Sequence, residues 1–276
     1  MQVDKSSLAE SFSRAARTYD SFSRFHVRLV EEVLSELSAE ELRTGACVVD
    51  LGCGTGALLS EAVRRNAGVF FVGVDIAEGM VRSAQARGKT VCGIWADAEC
   101  VPLAAGSADA VVSTSCFQWL KNLDDGFGEC RRLLKPGGRL MGSLFGKGSL
   151  KEFCDLNARL HIPLPLAAQF PSLDKVKEAL SRFAWKDLQV DTRTYTEFFE
   201  STKDILLWLR ELGARRTGLN GSSYKVQKSQ YGELLKQYVA DYGIPGKGVP
   251  VTIEIISFGC QAPFVSETEG RDSSLS

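Results

Sequence analysis

Between residues 46 and 145, short apolar runs alternate with segments that are apolar on only one helical face. The runs are rich in β-branched residues, which is typical of buried strands, whereas the segments between them have apolar residues at helical spacing. Strands that alternate with helices in this way predict a parallel, doubly wound α/β sheet. The predicted strands cover residues 46–51, 69–75, 91–95, 108–113 and 139–145, and the predicted helices cover 57–63, 77–87 and 120–134.

The segments on either side have a more mixed pattern. An amphipathic helix is predicted over residues 11–25, with Phe12 and Tyr19 on its apolar face, and a second helix follows over 26–37. Ser201 and Asp204 have the spacing of a capping box, which predicts that a helix begins there. After residue 145 the predicted helices are 149–160, 172–183, 201–212 and 228–242, and the predicted strands are 186–195 and 249–259.

The length of 276 residues permits one large α/β domain with additions, or two small domains. The net charge of −1 argues against a general nucleic-acid binder, and the chain has neither a membrane-spanning apolar run nor an apolar signal core. Its eight cysteines lack metal-binding spacing and its two histidines are far apart, which predicts reduced thiols and no metal site. We therefore expect a cytoplasmic protein without nucleic-acid or membrane partners.

Candidate chemistry concentrates in V-V-D-L-G-C-G-T-G at residues 48–56, directly after the first predicted strand. Gly52, Gly54 and Gly56 allow a tight turn and the close approach of a ligand, and the following helix start offers free N–H groups to a carboxylate or phosphate. The spacing is G-x-G-x-G, not the G-x-G-x-x-G of dinucleotide-binding folds. Asp50, just before the glycines, would repel a pyrophosphate but suits an ammonium group. Cys53 between them is expected to fill space rather than to react.

Three aspartates are predicted at carboxyl ends of strands, where open α/β sheets bind their ligands. Asp75 ends the second strand, from which position an acid accepts hydrogen bonds from ribose hydroxyls. Asp97 follows the third strand and either accepts an adenine amine or caps the next turn. A ribose together with an amino-acid head group describes S-adenosylmethionine (SAM). The predicted cofactor site consists of Asp50, Gly52, Gly54, Gly56, Asp75, Ile76, Met80, Asp97 and Ala98.

These motifs, with L-L-K-P-G-G-R-L at residues 133–140, resemble the class I SAM-dependent methyltransferases over residues 46–145. A second set of motifs is similar to the BioC family of malonyl-acyl-carrier-protein O-methyltransferases, which act in biotin synthesis. This similarity extends from about residue 10 to residue 262. Its motifs are F-S-R-A-A-R-T-Y-D (12–20), F-Q-W-L-K-N-L (117–123), G-S-L-K-E-F (148–153) and L-R-E-L-G-A (209–214).

The resemblance implies a single Rossmann-like class I methyltransferase domain over residues 1–262, with a seven-stranded, mainly parallel sheet. Its antiparallel last strand would come from Val251–Gly259. The N-terminal helices (7–40) and the helices within 201–242 would cover the active site as a lid, and 263–276 would be a disordered tail. The chain departs from the family pattern at Ala168-Gln169-Phe170, where relatives often have other residues. It departs again at Arg215-Arg216, where relatives often have a histidine.

The implied reaction methylates the free carboxylate of a malonyl thioester, carried on acyl carrier protein or on coenzyme A. Because a carboxylate is already ionised at pH 7, the enzyme needs no general base and must mainly align the reactants. Tyr19 and Arg210 are favoured as partners of this carboxylate, ahead of Arg14, Arg17 and Lys147. A basic surface that would dock the acidic carrier protein is expected from Lys203, Arg215, Arg216, Lys225 and Lys228.

Three alternatives remain at this point. The first is a small-molecule SAM methyltransferase that acts on a free acid such as aconitate or on a quinone-type carbon. The second is a SAM-binding protein without catalytic activity. The third, a nicotinamide-dependent dehydrogenase, is disfavoured by the glycine spacing and by Asp50.

Overall fold

Helices cover both faces of a seven-stranded sheet in the computed structural model, which describes residues 4–22, 24–65, 68–87, 91–161, 170–209 and 228–264. The strands are β1 (Cys47–Leu51), β2 (Phe70–Asp75), β3 (Val91–Trp95), β4 (Ala108–Thr114), β5 (Leu134–Phe145), β6 (Lys186–Phe199) and β7 (Val249–Gln261). The α-helices are α1 (Lys5–Ala15), α2 (Tyr19–Phe22), α3 (Arg24–Glu36), α4 (Ala57–Arg65), α5 (Glu78–Ala86), α6 (Leu123–Leu133), α7 (Lys151–Leu160), α8 (Leu173–Ser181), α9 (Thr202–Leu209) and α10 (Lys228–Tyr242).

The strand order is β3-β2-β1-β4-β5-β7-β6. Strands β1 to β5 pair in parallel, whereas β7 is antiparallel to both β5 and β6. Strand β6 therefore runs in the same direction as the first five strands, and among the described strands only β7 is reversed. This arrangement confirms the predicted Rossmann-like sheet.

The central strands are buried from both sides. In β1, Val48 lies in a cluster with Val33 of α3 and Leu59 of α4, whereas Val49 lies in a cluster with Phe127 of α6. Successive side chains of a strand point to opposite faces, so each face of the sheet has its own core. This double burial explains why the sequence of these strands is continuously apolar rather than alternating.

The connection from β4 to β5 differs in detail from its prediction. Helix α6 is shorter than the helix predicted over 120–134. It begins only after Asn122, whose side chain caps it by accepting a hydrogen bond from the Asp124 N–H at 3.0 Å. Strand β5 begins at Leu134 rather than at residue 139, and its pairing with β4 shifts register between Ala108 and Ala110. The helix thus ends before the Pro-Gly-Gly segment, as predicted. The segment itself forms the irregular beginning of β5.

The predicted single helix over residues 11–25 is wrong. The segment forms the end of α1, then α2, then the start of α3. The Thr18 hydroxyl donates a hydrogen bond to the Ala15 carbonyl at 3.2 Å, so this side chain satisfies a carbonyl at the end of α1. Phe12 and Tyr19 nevertheless share one apolar cluster, packed against Met80 of α5.

A separate apolar cluster joins α3 to the C-terminal half of the chain. It contains Phe25 of α3, Phe145 of β5, Trp208 of α9 and Tyr238 of α10. The predicted capping box opens α9: the Ser201 N–H donates to Asp204 Oδ2 at 3.0 Å, and the Asp204 N–H donates to Ser201 Oγ at 3.4 Å.

Among the described helices, none combines the length and the apolar character that a membrane crossing requires. Residues 265–276 of the predicted tail lie outside the described residues, as do 210–227 of the predicted lid.

Candidate active site

Two adjoining cavities open at the carboxyl ends of the central strands. The first, here called the strand-end cavity, comprises about 660 Å³ of empty space, which includes its opening to solvent. The second, the aromatic cavity, comprises about 440 Å³ on the same measure. Phe12, Tyr19, Ser115 and Trp119 line both, so the two cavities meet at a shared wall.

Most of the residues predicted to bind a cofactor lie together around the strand-end cavity. Asp50 and Gly56 are the exceptions, because neither belongs to its wall. The predicted residues on the wall are Gly52, Gly54, Asp75, Ile76, Met80, Asp97 and Ala98, together with Tyr19.

The three glycines of the loop meet two different requirements, close packing and an open approach to the backbone. A Cβ on Gly52 would lie 2.4 Å from Cys116 Cβ, and one on Gly56 would lie 2.9 Å from Ala84 Cα, so these glycines allow the loop to pack closely. Gly54 differs, because no heavy atom lies within 4 Å of the Cβ position and its φ is +53°. Its backbone therefore borders open space in the cavity, where a ligand can approach it closely.

The carboxylate of Asp75 is held by two backbone N–H groups, one in the glycine loop and one just after β2. Its Oδ2 accepts a hydrogen bond from the Gly54 N–H at 2.9 Å, and its Oδ1 accepts one from the Ala77 N–H at 2.8 Å. Burial raises the pKa of Asp75 to about 6, against the lowering effect of these two bonds. Each carboxylate oxygen retains a second lone pair, which can accept a hydroxyl from a ligand.

Asp50 lies beneath the glycine loop and is almost completely buried. Its Oδ1 has no hydrogen-bond partner among the described residues. Burial, and to a smaller extent the charge of Asp75, raises the pKa of Asp50 to about 8. A cationic group at the loop would give Oδ1 a partner and would lower the raised pKa, since it favours the ionised carboxylate.

Asp97 has a partner that the sequence did not indicate. Lys5, on the first turn of α1, donates from Nζ to Asp97 Oδ1 at 2.6 Å and also contacts Glu99. The Glu99 N–H donates to Asp97 Oδ1 at 3.0 Å, so the side chain also caps the following turn, as the alternative prediction stated. Lys5 itself lines the cavity, which places α1 over this end of the site.

The N-terminal segment is also linked to the glycine loop. The Thr55 hydroxyl donates to Asp20 Oδ1 at 2.6 Å, and Arg87 forms an ion pair with Asp20. These contacts hold α2, and with it Tyr19, at the wall shared by both cavities. Burial raises the pKa of Tyr19 well above its ordinary value, so its hydroxyl stays protonated and can donate.

The aromatic cavity is built from distant parts of the chain, and its described lining contains no Asp, Glu, Lys or Arg. Ring contacts connect its walls: the ring centroids of Trp119 and Phe170 are 6.2 Å apart, and those of Phe145 and Phe170 are 5.7 Å apart. The polar residues in its lining include Tyr19, His26, Ser115, Gln118 and Ser149. Among these, Ser115 has a non-glycine φ of +57°, a strained conformation of the kind found at functional sites.

Sequence reasoning did not select His26, Ser115 or Gln118 as site residues. Gln118 stood in a motif of the resemblance, but no local pattern marked Ser115 or distinguished His26 from any other buried position of an amphipathic helix. Of the other candidates, Arg14, Arg17, Lys147 and Lys203 are exposed. The remaining basic candidates, Arg210, Arg215, Arg216 and Lys225, lie outside the described residues, and Lys228 is the first residue of α10.

Cys53 is a space-filling residue, as predicted. Its side chain is buried, and a Cβ on Gly73 would lie 2.8 Å from its sulfur. Burial raises the pKa of the Cys53 thiol far above its ordinary value, so it is not a reactive thiolate.

Comparison with known proteins assigns the class first. A family model described as a methyltransferase domain matches residues 49–142. Phosphoethanolamine N-methyltransferase 2 of Haemonchus contortus, solved with S-adenosyl-L-methionine, shares the fold: the TM-score is 0.54 at 22% identity, over 85% of this chain and 52% of that chain. The chain is a class I SAM-dependent methyltransferase.

The curated relatives narrow the assignment. The malonyl-[acyl-carrier protein] O-methyltransferase of Geobacter sulfurreducens is 32% identical over 92% of this chain and 97% of its own length. The biotin biosynthesis bifunctional protein BioHC of Saccharophagus degradans is 28% identical over 91% of this chain and 46% of its own length. The chain belongs to the malonyl-[acyl-carrier protein] O-methyltransferase family.

The strand-end cavity fits SAM by its own geometry. Asp50 Oδ1 is buried near the loop with no partner in the part of the chain that the structure describes, Gly54 leaves open space at the wall, and the carboxylate of Asp75 is fixed with spare lone pairs. Asp75 would hold the ribose hydroxyls, Asp50 would favour the ammonium group, and Asp97 would face the adenine amine.

Proposed function

We propose that this protein transfers the methyl group of SAM to the free carboxylate of malonyl-acyl-carrier protein, as an early step of biotin synthesis. The observation that carries the proposal is the shared wall of the two cavities. The cofactor residues lie on one side of that wall, and an uncharged aromatic cavity lies on the other. The proposal also rests on the activity for which the curated relatives are named.

When bound, SAM supplies an electrophilic methyl group on a sulfonium, so the protein has to align the nucleophile and to exclude water. Tyr19 is at the shared wall, where its protonated hydroxyl would hold one oxygen of the acceptor carboxylate. Phe12 and Trp119 close the sides of the same wall and would keep water from the reacting atoms. Alignment of this kind can lower a barrier by roughly 7–11 kcal/mol.

Arg210 remains a proposed second partner of the acceptor carboxylate. Its support is its place directly after Leu209, which ends α9 and lines the aromatic cavity. Arg210→Ala should raise the KM for the acceptor or lower kcat at unchanged SAM affinity, and an unchanged kcat/KM would remove Arg210 from the site.

We further propose that α1, α2 and α9 act as parts of a lid over a single domain. All three supply wall residues: Lys5 and Phe12 from α1, Tyr19 from α2, and Trp208 from α9. A cytoplasmic location, and the absence of nucleic-acid and membrane partners, belong to the same proposal and rest on the composition.

Mass spectrometry of malonyl-acyl-carrier protein incubated with the enzyme and SAM tests the proposed function. The carrier protein should gain the mass of one methyl group, whereas acetyl-carrier protein, which lacks the free carboxylate, should not. No gain on the malonyl form, with SAM binding intact by calorimetry, would contradict the proposed substrate. Free malonate and aconitate would then be the next acceptors to try.

A further inference from the structure

Three of the residues that line the aromatic cavity each have a buried polar atom with no hydrogen-bond partner among the described residues. The atoms are His26 Nδ1, Ser115 Oγ and Gln118 Oε1. Buried polar groups in folded proteins are nearly always paired, so three such atoms in the side chains around one cavity indicate a polar ligand. The Gln118 Nε2 group is already used, because it donates to the Ser115 carbonyl at 2.8 Å.

The ring of His26 is oriented by aromatic packing rather than by charged groups. Its centroid lies 5.8 Å from that of Tyr19 and 5.9 Å from that of Phe145. Burial lowers the pKa of His26 to about 4, so the imidazole is neutral at pH 7 and carries one N–H. A neutral donor in an apolar cavity suits a neutral acceptor such as a carbonyl oxygen.

The two cavities decide which end of the substrate faces His26. Tyr19 and Ser115 line both cavities, whereas His26 and Gln118 line only the aromatic cavity. The nucleophilic carboxylate must reach the cofactor, so it belongs at the shared wall. In a malonyl thioester, one methylene separates this carboxylate from the thioester carbonyl, which must then lie farther into the aromatic cavity, on the side of His26.

We propose that His26 is a specificity-determining residue that donates a hydrogen bond from Nδ1 to the thioester carbonyl oxygen of the acceptor. The bond lets the enzyme prefer a malonyl thioester over an acid of the same length that lacks the carbonyl. This inference rests on the proposed function, because it takes the malonyl thioester as the acceptor.

The test compares two acceptors on the same carrier protein: the malonyl thioester, and a 2-carboxyethyl thioether in which a methylene replaces the carbonyl. The intact enzyme should show a kcat/KM about tenfold higher for the thioester, the effect of one buried hydrogen bond. His26→Leu should reduce the thioester to the level of the thioether and leave the thioether within about twofold of its original value.

Two variants serve as controls. His26→Asn places a side-chain amide nitrogen where Nδ1 lies, and should restore most of the preference. His161→Asn changes the second of the two histidines, which is exposed at the end of α7 in a left-handed conformation that asparagine tolerates, and should change nothing. Calorimetric SAM binding confirms that each variant is folded.

If His26 had a purely structural role, its substitution would lower the rates of both acceptors alike, and that result would overturn the inference. A full thioester preference in His26→Leu would overturn it as well. If the intact enzyme binds SAM but methylates neither acceptor, the proposed function fails and this inference fails with it.

Nitrogen NMR of the unaltered enzyme gives a second readout if His26→Leu does not fold. With S-adenosylhomocysteine bound, the thioester should shift the Nδ1 resonance of His26, whereas the thioether should not. His161→Asn assigns the other imidazole. Equal shifts with both acceptors would overturn the inference.

Discussion

The strand-end cavity and the aromatic cavity share a wall but differ in chemistry. Carboxylates lie beneath or along the lining of the first: Asp50 is buried, whereas Asp75 and Asp97 are partly exposed, and the loop backbone is held by hydrogen bonds. The second has no charged side chain in its described lining and is closed by rings. In the proposed reaction, a cationic cofactor and an anionic acceptor would thus meet where one side supplies negative charge and the other supplies none.

The difference shows how such a site can favour reaction without a base. The acids would bind and orient the sulfonium cofactor, and none of Asp50, Asp75 and Asp97 lines the aromatic cavity that would receive the carboxylate. Bringing the two opposite charges together in a cavity that excludes water favours the methyl transfer that neutralises them. Four predictions test the two halves of this comparison.

The largest effect is expected from Asp75→Ala. The substitution removes the acceptor that holds the Gly54 and Ala77 N–H groups and that would bind the ribose, so SAM affinity should fall about a hundredfold, the effect of two charge-assisted hydrogen bonds. Calorimetric titration measures it. Asp174→Asn, an exposed acid on α8, is the matched control and should bind SAM normally. Unchanged affinity in Asp75→Ala would break the assignment of this cavity to the cofactor.

The pH dependence of SAM binding should be the next largest effect. The pKa of Asp75 is raised to about 6 and that of Asp50 to about 8, whereas an unfolded aspartate titrates near 4. These groups therefore stabilise the free protein fully below about pH 4, and the contribution is lost as the pH rises through 6 and 8. Cofactor binding has the opposite sign, because the ammonium and ribose groups favour ionised carboxylates.

Affinity for SAM should accordingly rise about tenfold between pH 6 and 8, and binding near pH 7 should release protons, which calorimetry in buffers of different ionisation enthalpy detects. Asp50→Asn should bind more weakly and lose the upper part of this dependence. A SAM affinity that falls as the pH rises would contradict the assigned role of both acids.

Gly54→Ala should weaken SAM binding about tenfold, since its methyl group would project into the strand-end cavity. The left-handed backbone adds a stability cost of about 1–2 kcal/mol. Gly106→Ala has a similar φ of +64° and equally open surroundings but lies outside the site, so it carries the same backbone cost alone. Equal SAM affinities in the two variants would show that the Gly54 position does not face the cofactor.

Tyr19→Phe should have the smallest effect and should act on the acceptor side. The ring remains at the shared wall, but the donor to the acceptor carboxylate is lost, so kcat/KM for malonyl-carrier protein should fall about fivefold at unchanged SAM affinity. Steady-state kinetics with both substrates measures it. Phe153→Leu, on α7 outside both cavity walls, is a control for general loosening of the neighbouring core. A parallel loss of SAM affinity in Tyr19→Phe would move its hydroxyl to the cofactor side.

Several parts of this picture could be predicted because their signals are local. Strands β1 to β4 were placed to within one residue at each end, since apolar runs between turns mark buried strands wherever they pack. The start of α9 was placed by two residues three positions apart. The break after Ala15 was missed because apolar periodicity continues through it from Phe12 to Tyr19, and the break shows only in the hydrogen bonds of Thr18.

The sequence by itself determined the sheet region, the glycine loop and the strand-end acids, because a strand, a turn and a helix start that follow one another must place these residues at one edge of the sheet. The tertiary structure alone decided the aromatic cavity. Its wall brings together His26, Phe145 and Ile253, which no spacing along the chain relates. It also decided that Lys5 would reach Asp97, a contact across 92 positions of the chain. Contacts of this kind depend on how helices pack over the finished sheet, and that packing is settled by the whole core rather than by any one segment.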